Sequence, residues 1–374
     1  MSTPSSSADF PRPSVLVVGA RGIPDVEGGA EKNAEMIFPI IAASGFRVVL
    51  LGLHGLIRDG SYRGVELRVA PNRRILKTDK LFYYIHALSV ARQLKPDLVH
   101  LQGLGASLFL WAYKLMGKRV VVRYGSADYV VSKWGLIGKL GFLAAEFQTR
   151  FADAVIAVAP ALARRLEARG VRDIVHLIPN ALDDAPALDA IEKCPGAAGD
   201  TPYLLMVGRV TAQKNVDRVV EGFNLFRQRT GRAFRLLVAG GVEDETYLRG
   251  LLPLCGNDVT LLGHCTRAQL EGLYRECALY INGSMHEGSS NAILEAISRE
   301  CPLIVSGIPE NRDFELPEWI YFDPTDPGSI AHSIAAALDD PDRFHADRSK
   351  FMSWSDVGER TLAIYNALLT ASAG

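Results

Sequence analysis

Residues 15–45 read VLVVGARGIPDVEGGAEKNAEMIFPIIAASG. Val15-Leu-Val-Val18 is a short apolar run, and a glycine-rich loop from Gly19 to Gly29 follows it. A helical pattern then runs from Ala30 to Ser44, with Ile37, Ile40 and Ile41 at helical spacing and Gly45 as the stop. Short apolar strands recur at Arg47–Leu51, Leu98–Leu101, Arg119–Arg123 and Ala154–Ala157, separated by helical segments. Residues 186–200 lose the rhythm and read as a linker. Tyr203–Val207 restarts the pattern, and Arg235–Val238, Val259–Leu262, Leu279–Ile281 and Leu303–Val305 continue it. Strands alternating with helices imply parallel sheets covered on both faces. The expected architecture is α/β, with two doubly wound domains around a cleft. A tail (1–13) precedes the first domain (14–185); the second (201–352) follows the linker, and 353–374 form a terminal helix.

Length and composition agree with that division. A chain of 374 residues, 48% apolar and 22% charged, suits two globular domains. The five cysteines form no CxxC pair, which points to reduced thiols and a cytoplasmic setting. The opening MSTPSSSADFPRPS has neither the basic start nor the apolar run of a signal peptide. No stretch approaches the roughly 20 apolar residues of a membrane span, and Leu104–Met116 reads as a core helix. The net charge of −1 divides unevenly: residues 1–185 hold 24 Lys/Arg against 16 Asp/Glu, and the remainder 17 against 26.

Two loops carry the chemistry. The first is Glu287-Gly-Ser-Ser-Asn-Ala-Ile-Leu-Glu295, after the strand that ends near Ile281. Ser289 and Ser290 are good N-caps, and a helix start there, with Asn291, offers backbone N–H groups to an anion. Gly288 allows a phosphate or sugar to approach the main chain closely. Glu295 interrupts an apolar stretch, and a polyol such as ribose would satisfy its carboxylate. The second loop, Gly208-Arg209-Val-Thr-Ala-Gln-Lys214-Asn215, again lies between a strand and a helix. Arg209 as a planar fork and Lys214 as a mobile charge suit a diphosphate, and Asn215 is a credible N-cap. In the first domain, Gly19, Gly22, Gly28 and Gly29 lie too far apart for a dinucleotide fingerprint. Such a loop can instead face a ligand held by the other domain.

On these residues the chain resembles family 4 of the retaining glycosyltransferases, which have the GT-B fold of two Rossmann-like domains facing each other across a cleft. The family's E-x7-E element matches Glu287 and Glu295, its G-R-x4-K element Gly208, Arg209 and Lys214, and its G-G-x-E element Gly28, Gly29 and Glu31. Weaker matches are Pro179-Asn180-Ala-Leu-Asp183, Leu262-Gly263 and the Ser353-Trp354 helix, which in the family crosses back onto the first domain. Gly19-Ala-Arg-Gly-Ile-Pro24 with Lys133-Trp134-Gly135 is similar to a bacterial rhamnosyltransferase-like subgroup.

The resemblance implies a hexosyltransferase-type enzyme of polysaccharide or glycoconjugate synthesis, with a UDP- or GDP-linked sugar as donor and retention of anomeric configuration. It implies no cofactor and no metal. Arg209 and Lys214 would hold the diphosphate, Glu287 the sugar hydroxyls and Glu295 the ribose. Gly29, Gly208, Gly263 and Gly288–Asn291 would line the donor. Gly28, Glu31, His100, Tyr124 and Asp128 are acceptor-side candidates, with Tyr124 standing where the family carries histidine. The acceptor would be a saccharide, a lipid-linked saccharide or a small molecule, not a nucleic acid. The apolar and basic residues of 133–151, with Arg73, Arg74, Lys77 and Lys80, suggest peripheral contact with an anionic membrane. Rival readings are a sugar-nucleotide 2-epimerase, a nicotinamide oxidoreductase and a catalytically silent nucleotide-sugar binder.

Overall fold

The computed structural model describes residues 12–26, 28–73, 79–126, 136–183 and 191–371. Its first sheet has eight strands: β1 (Ser14–Val18), β2 (Arg47–Leu53), β3 (Gly60–Tyr62), β4 (Val65–Ala70), β5 (Leu98–Gln102), β6 (Arg119–Tyr124), β7 (Ala154–Ala157) and β8 (Val175–Leu177). Their order is β3-β4-β2-β1-β5-β6-β7-β8, parallel throughout except for the β3–β4 pair. Helices α1 (Gly29–Ala43), α2 (Asp79–Leu94), α3 (Leu110–Leu115), α4 (Leu136–Gln148) and α5 (Pro160–Ala168) cover it.

The second sheet is all parallel, in the order β11-β10-β9-β12-β13-β14. Its strands are β9 (Tyr203–Val207), β10 (Arg235–Ala239), β11 (Val259–Gly263), β12 (Leu279–Asn282), β13 (Leu303–Ser306) and β14 (Tyr321–Phe322). Helices α6 (Val216–Thr230), α7 (Glu245–Leu251), α8 (Arg267–Glu276), α9 (Asn291–Ser298), α10 (Pro309–Arg312) and α11 (Pro327–Asp339) belong to this half. The chain ends in α12 (Trp354–Thr370).

The central strands are buried along almost their whole length, the burial expected of runs such as Val15–Val18 between two helical layers. Strands β3, β4, β8 and β14 escape the sequence pattern for local reasons. β4 alternates Glu66 and Arg68 with apolar residues, β3 and β8 are largely exposed, and β14 has two residues. Leu104–Met116 is not a core helix. It is a 3-10 segment, Leu104–Phe109, running into α3, which leaves Trp111 half exposed and Leu115 at 80%.

Helix α12 packs on the first sheet, not the second: Trp354, Val357, Ile364 and Tyr365 join Ile37, Phe38 and Ile41 in one core. A Cβ at Gly358 would lie 2.7 Å from Ile40 Cγ2, so glycine sets the close approach of α12 to α1. Beneath this helix His100 is sealed from solvent. Its Nε2 lies 3.1 Å from Gln102 Oε1 and its Nδ1 2.6 Å from the Tyr365 hydroxyl. The acceptor-side expectation for His100 is therefore corrected, because both ring nitrogens are engaged inside the core. Burial, then the Arg123 charge, push the imidazole from 6.5 down to about 3.

The folded protein keeps this ring neutral while the unfolded chain protonates it below its ordinary value. Its contribution to stability is complete above pH 6.5 and is lost as pH falls toward 3, by at most about 1.4 kcal/mol per pH unit. His100→Gln should flatten the acid side of the urea-midpoint profile over that window; an unchanged slope would assign the acid sensitivity to other groups.

Candidate functional site

In each sheet the chain turns back beside its first strand. β9 lies between β10 and β12, and β1 between β2 and β5. Loops leaving the carboxyl ends of such strands diverge to opposite faces and open a crevice, where open α/β sheets bind ligands. Gly208 and Arg209 follow β9, and Glu287–Asn291 follow β12. Gly28, Gly29 and Glu31 follow β1. The two halves thus place the expected residues at their switch points.

Lys214 and Glu287 form the centre of the second switch point. Lys214 Nζ donates to Glu287 Oε1 at 2.5 Å, with side-chain exposures of only 14% and 10%. Ser284 Oγ donates to the same oxygen at 2.7 Å. Burial pushes the Glu287 carboxyl up, but the Lys214 ammonium and hydrogen bonds from Ser284 and Asn282 outweigh it and hold the group below the usual carboxylate range. At neutral pH Glu287 is a carboxylate that accepts hydrogen bonds and has no proton to give. A Cβ on Gly208, at φ +148°, would lie 3.2 Å from Lys214 Cε, so glycine leaves room for the lysine. Arg209 pairs with Glu243 at 2.5 Å in an exposed setting. Such a pair stabilises little and leaves the guanidinium available to a stronger anion.

A buried polar array holds the Glu287 loop. Asn311 Nδ2 donates to Ser306 Oγ (2.8 Å) and Asn282 Oδ1 (3.2 Å), while Ser306 Oγ donates to the Ser284 carbonyl (2.6 Å). Sequence reading gave Asn282 and Asn311 no role, since an isolated buried asparagine has no periodic signature. Asn311→Ala would remove the donor that Ser306 Oγ and Asn282 Oδ1 share. It should lower unfolding free energy in urea by about 1–3 kcal/mol and raise proteolysis of the 283–290 loop; wild-type stability would show the array to be dispensable.

Other caps differ from expectation. Ser290 occupies the N-cap position of α9 but makes no side-chain cap; its Oγ lies 3.4 Å from Asn282 Nδ2. Asn215 likewise precedes α6 without capping it: its backbone is left-handed, at φ +59°, and its Nδ2 donates to the Pro324 carbonyl at 2.8 Å. Glu295 Oε2 accepts from the Tyr274 hydroxyl at 3.0 Å, and Oε1 accepts no hydrogen bond among the described residues. Burial raises the Glu295 carboxyl above its ordinary range despite the nearby Lys32 charge. Gly263, at φ +69°, ends β11, and its carbonyl accepts from Gly240 N at 2.8 Å. It lies on β11, two strands from β9 in the sheet order.

The two halves meet at these loops. A Cβ on Gly288 would overlap the Gly125 carbonyl oxygen, so the second domain's loop rests on the end of β6. Asn180 Nδ2 donates to Asn291 Oδ1 at 2.9 Å, and Asn291 Nδ2 lies 3.5 Å from the Gly29 carbonyl. Lys32 and Trp354 both bind Asp183, at 2.7 and 2.9 Å.

Two acceptor-side expectations are corrected. Tyr124 is fully buried and donates to Glu146 Oε1 at 2.6 Å, pointing under α4 and away from the crevice. Its neighbour Gly125 reaches the loop instead. Glu31 is 5% exposed, and its Oε1 accepts from both the main-chain N and Nε of Arg21 (3.1 and 2.8 Å). It therefore ties Arg21 to the first turn of α1, and a Cβ on Gly28 would overlap its other oxygen. Asp128 lies outside the described residues.

Each half of the chain matches a family model. Residues 28–185 match the model for Glycosyltransferase Family 4, and residues 189–351 the model for Glycosyl transferases group 1. An uncharacterized glycosyltransferase of Methanocaldococcus jannaschii is 25% identical over 183 residues, 46% of each chain. That match spans about half the length of the curated relative. Among solved structures, sucrose-phosphate synthase from Thermosynechococcus elongatus superposes with a TM-score of 0.79 at 20% identity, covering 96% of this chain and 100% of that one. Anabaena HepE, in complex with UDP and glucose, gives 0.73 at 14% identity over 95% and 99%. An α,α-trehalose-phosphate synthase from Burkholderia xenovorans, in complex with glucose-6-phosphate, gives 0.69 at 13% over 94% and 99%. With one glycosyltransferase-family domain on each side of the crevice and whole-chain likeness to structures of this architecture, the protein is a glycosyltransferase-family member of the GT-B type.

Proposed function

We propose that this protein transfers a sugar from a nucleoside-diphosphate sugar, UDP- or GDP-linked, to a hydroxyl of a saccharide, lipid-linked saccharide or small molecule, with retention at the anomeric carbon. The observation that carries the reading is the Lys214–Glu287 pair at the switch point of the second sheet, with Arg209 on the same β9–α6 loop as Lys214. A leaving diphosphate takes the electron pair of the broken C1–O bond, and the positioned cations Lys214 and Arg209 stabilise that charge. The acceptor oxygen bonds to C1 on the face from which the phosphate departs, and its proton leaves with the diphosphate or to solvent. Glu287, kept ionised, accepts hydrogen bonds from sugar hydroxyls and fixes the ring. The free Oε1 of Glu295 suits a ribose hydroxyl. The chemistry assigned to these residues needs neither metal nor cofactor.

Polysaccharide or glycoconjugate synthesis on the cytoplasmic side of a membrane is the proposed setting, with rhamnosyl transfer as the first activity to assay. HepE binds UDP and glucose, which supports this class of donor. Among the described residues no helix is long and apolar enough to cross a membrane. Peripheral contact has a candidate surface on α3 and α4. Trp111, Leu115, Leu140 and Phe147 are half exposed or more, and Arg150 caps the Phe147 ring at 3.9 Å. The acid of α4, Glu146, is turned inward onto Tyr124, Arg165 and Arg169. The outward face is thus apolar and basic, as anionic lipid requires. Lack of co-sedimentation with anionic vesicles at low salt would remove this part.

The assay of the main reading is incubation with UDP-, GDP-, ADP- and dTDP-sugars. Free nucleoside diphosphate should accumulate with one donor and only in the presence of acceptor. Isomerised donor without acceptor would instead make the protein an epimerase.

A further inference from the structure

Arg123 is the largest fully buried side chain among the described residues, and it has no carboxylate partner there. Nη2 donates to Asn180 Oδ1 at 3.0 Å, while Nε and Nη1 have no partner among the described residues. Among the described residues its ionisation responds to burial first and to the Tyr365 hydroxyl second, with no acid acting on it. Burial lowers the guanidinium only to about 10, so it stays charged at neutral pH. A buried cation with no acid beside it among the described residues costs several kcal/mol, and a buried group left unsatisfied calls for a reason.

The reason lies one contact further on. The Asn180 oxygen that accepts from Arg123 also accepts from Asn33 Nδ2 at 3.1 Å, which fixes the orientation of the amide. Its nitrogen is thereby aimed across the crevice at Asn291 Oδ1 (2.9 Å) and the Ser289 carbonyl (3.4 Å), at the N-terminus of α9. Two donors on the oxygen leave the amide only one way to face.

We propose that Arg123 is a positioning residue for the donor site: through Asn180 it holds the first domain against the Ser289–Asn291 turn that lies beside Glu287. The inference rests on the proposed donor-site reading. Its charge is a cost to stability retained for this purpose, which separates it from a residue that merely fills the core.

The test compares wild type with Arg123→Met, Asn180→Ala and the double variant, reading kcat, KM for the donor, nucleoside-diphosphate affinity and thermal midpoint. Methionine keeps much of the volume and removes the buried charge. Arg123→Met should lower kcat/KM for the donor about tenfold with a thermal midpoint equal to or above wild type. Asn180→Ala should lose a similar factor. The double variant should lose no more than the larger single loss, because the two act as one unit. Wild-type kinetics in Arg123→Met, multiplied losses in the double variant, or a lowered midpoint paralleling the lost activity would each overturn the proposal. If wild type itself turns over no nucleotide sugar and binds no nucleoside diphosphate, the donor-site reading fails instead.

Discussion

Lys214→Ala is expected to lower turnover of the nucleotide sugar about 100- to 1,000-fold, the loss seen when one preorganised stabiliser of a developing charge is removed. Two effects combine. The leaving diphosphate loses its most enclosed cation, and Glu287 loses the ammonium that holds its carboxyl ionised. A buried carboxylate left without its cation also weakens the fold, by about 3–5 kcal/mol when such a pair is broken from one side. The variant therefore needs a control for stability. Lys214→Ala combined with Glu287→Gln removes both charges, and it should recover much of the lost unfolding free energy without recovering turnover. Recovery of both would make the pair a structural element rather than part of the chemistry. Near-normal turnover in Lys214→Ala alone would contradict the diphosphate assignment.

The second large effect belongs to Gly288→Ala. A single methyl group there would overlap the Gly125 carbonyl, and main chain cannot swing aside as a flexible side chain can. The contact spans the two domains, so the strain is relieved by holding them apart. Binding of the diphosphate part of the donor should persist, since Arg209 and Lys214 lie wholly in the second domain. The value of kcat should fall by about 100-fold, because a misplacement near 1 Å costs that much when reacting groups are held by closure. A matching increase in radius of gyration with donor bound, measured by X-ray scattering, separates this cause from local damage. Full activity in Gly288→Ala would mean that the domains need not approach this closely.

The sheets were legible because most central strands are short, largely apolar runs followed by a glycine or a polar loop. Val15–Val18 and Tyr203–Val207 announce themselves that way, whereas β4 hides behind Glu66 and Arg68 on its less buried positions. The donor loops were legible for the same reason: a strand, a glycine and a charge in sequence place Arg209, Lys214 and Glu287 beyond strand ends. The acceptor side was not. Side-chain direction alternates along a strand, so a one-residue difference decides whether Tyr124 faces the crevice or the core, and no local signal reports it. His100 looked available only because its partner Tyr365 is 265 residues away. Glu31 matched a binding element yet is consumed by Arg21, a pairing that depends on how the 19–28 loop folds back. Arg123 gave no sign, since one arginine near the end of an apolar run reads as an ordinary strand ending.

Calorimetric titration with the nucleoside diphosphate of the preferred donor tests the central claim most directly, comparing wild type with Arg209→Ala/Lys214→Ala. Loss of two charge-assisted contacts, each about 1.5–3 kcal/mol, should weaken binding at least roughly 100-fold. An unchanged dissociation constant in a folded double variant would place the diphosphate elsewhere and contradict the account.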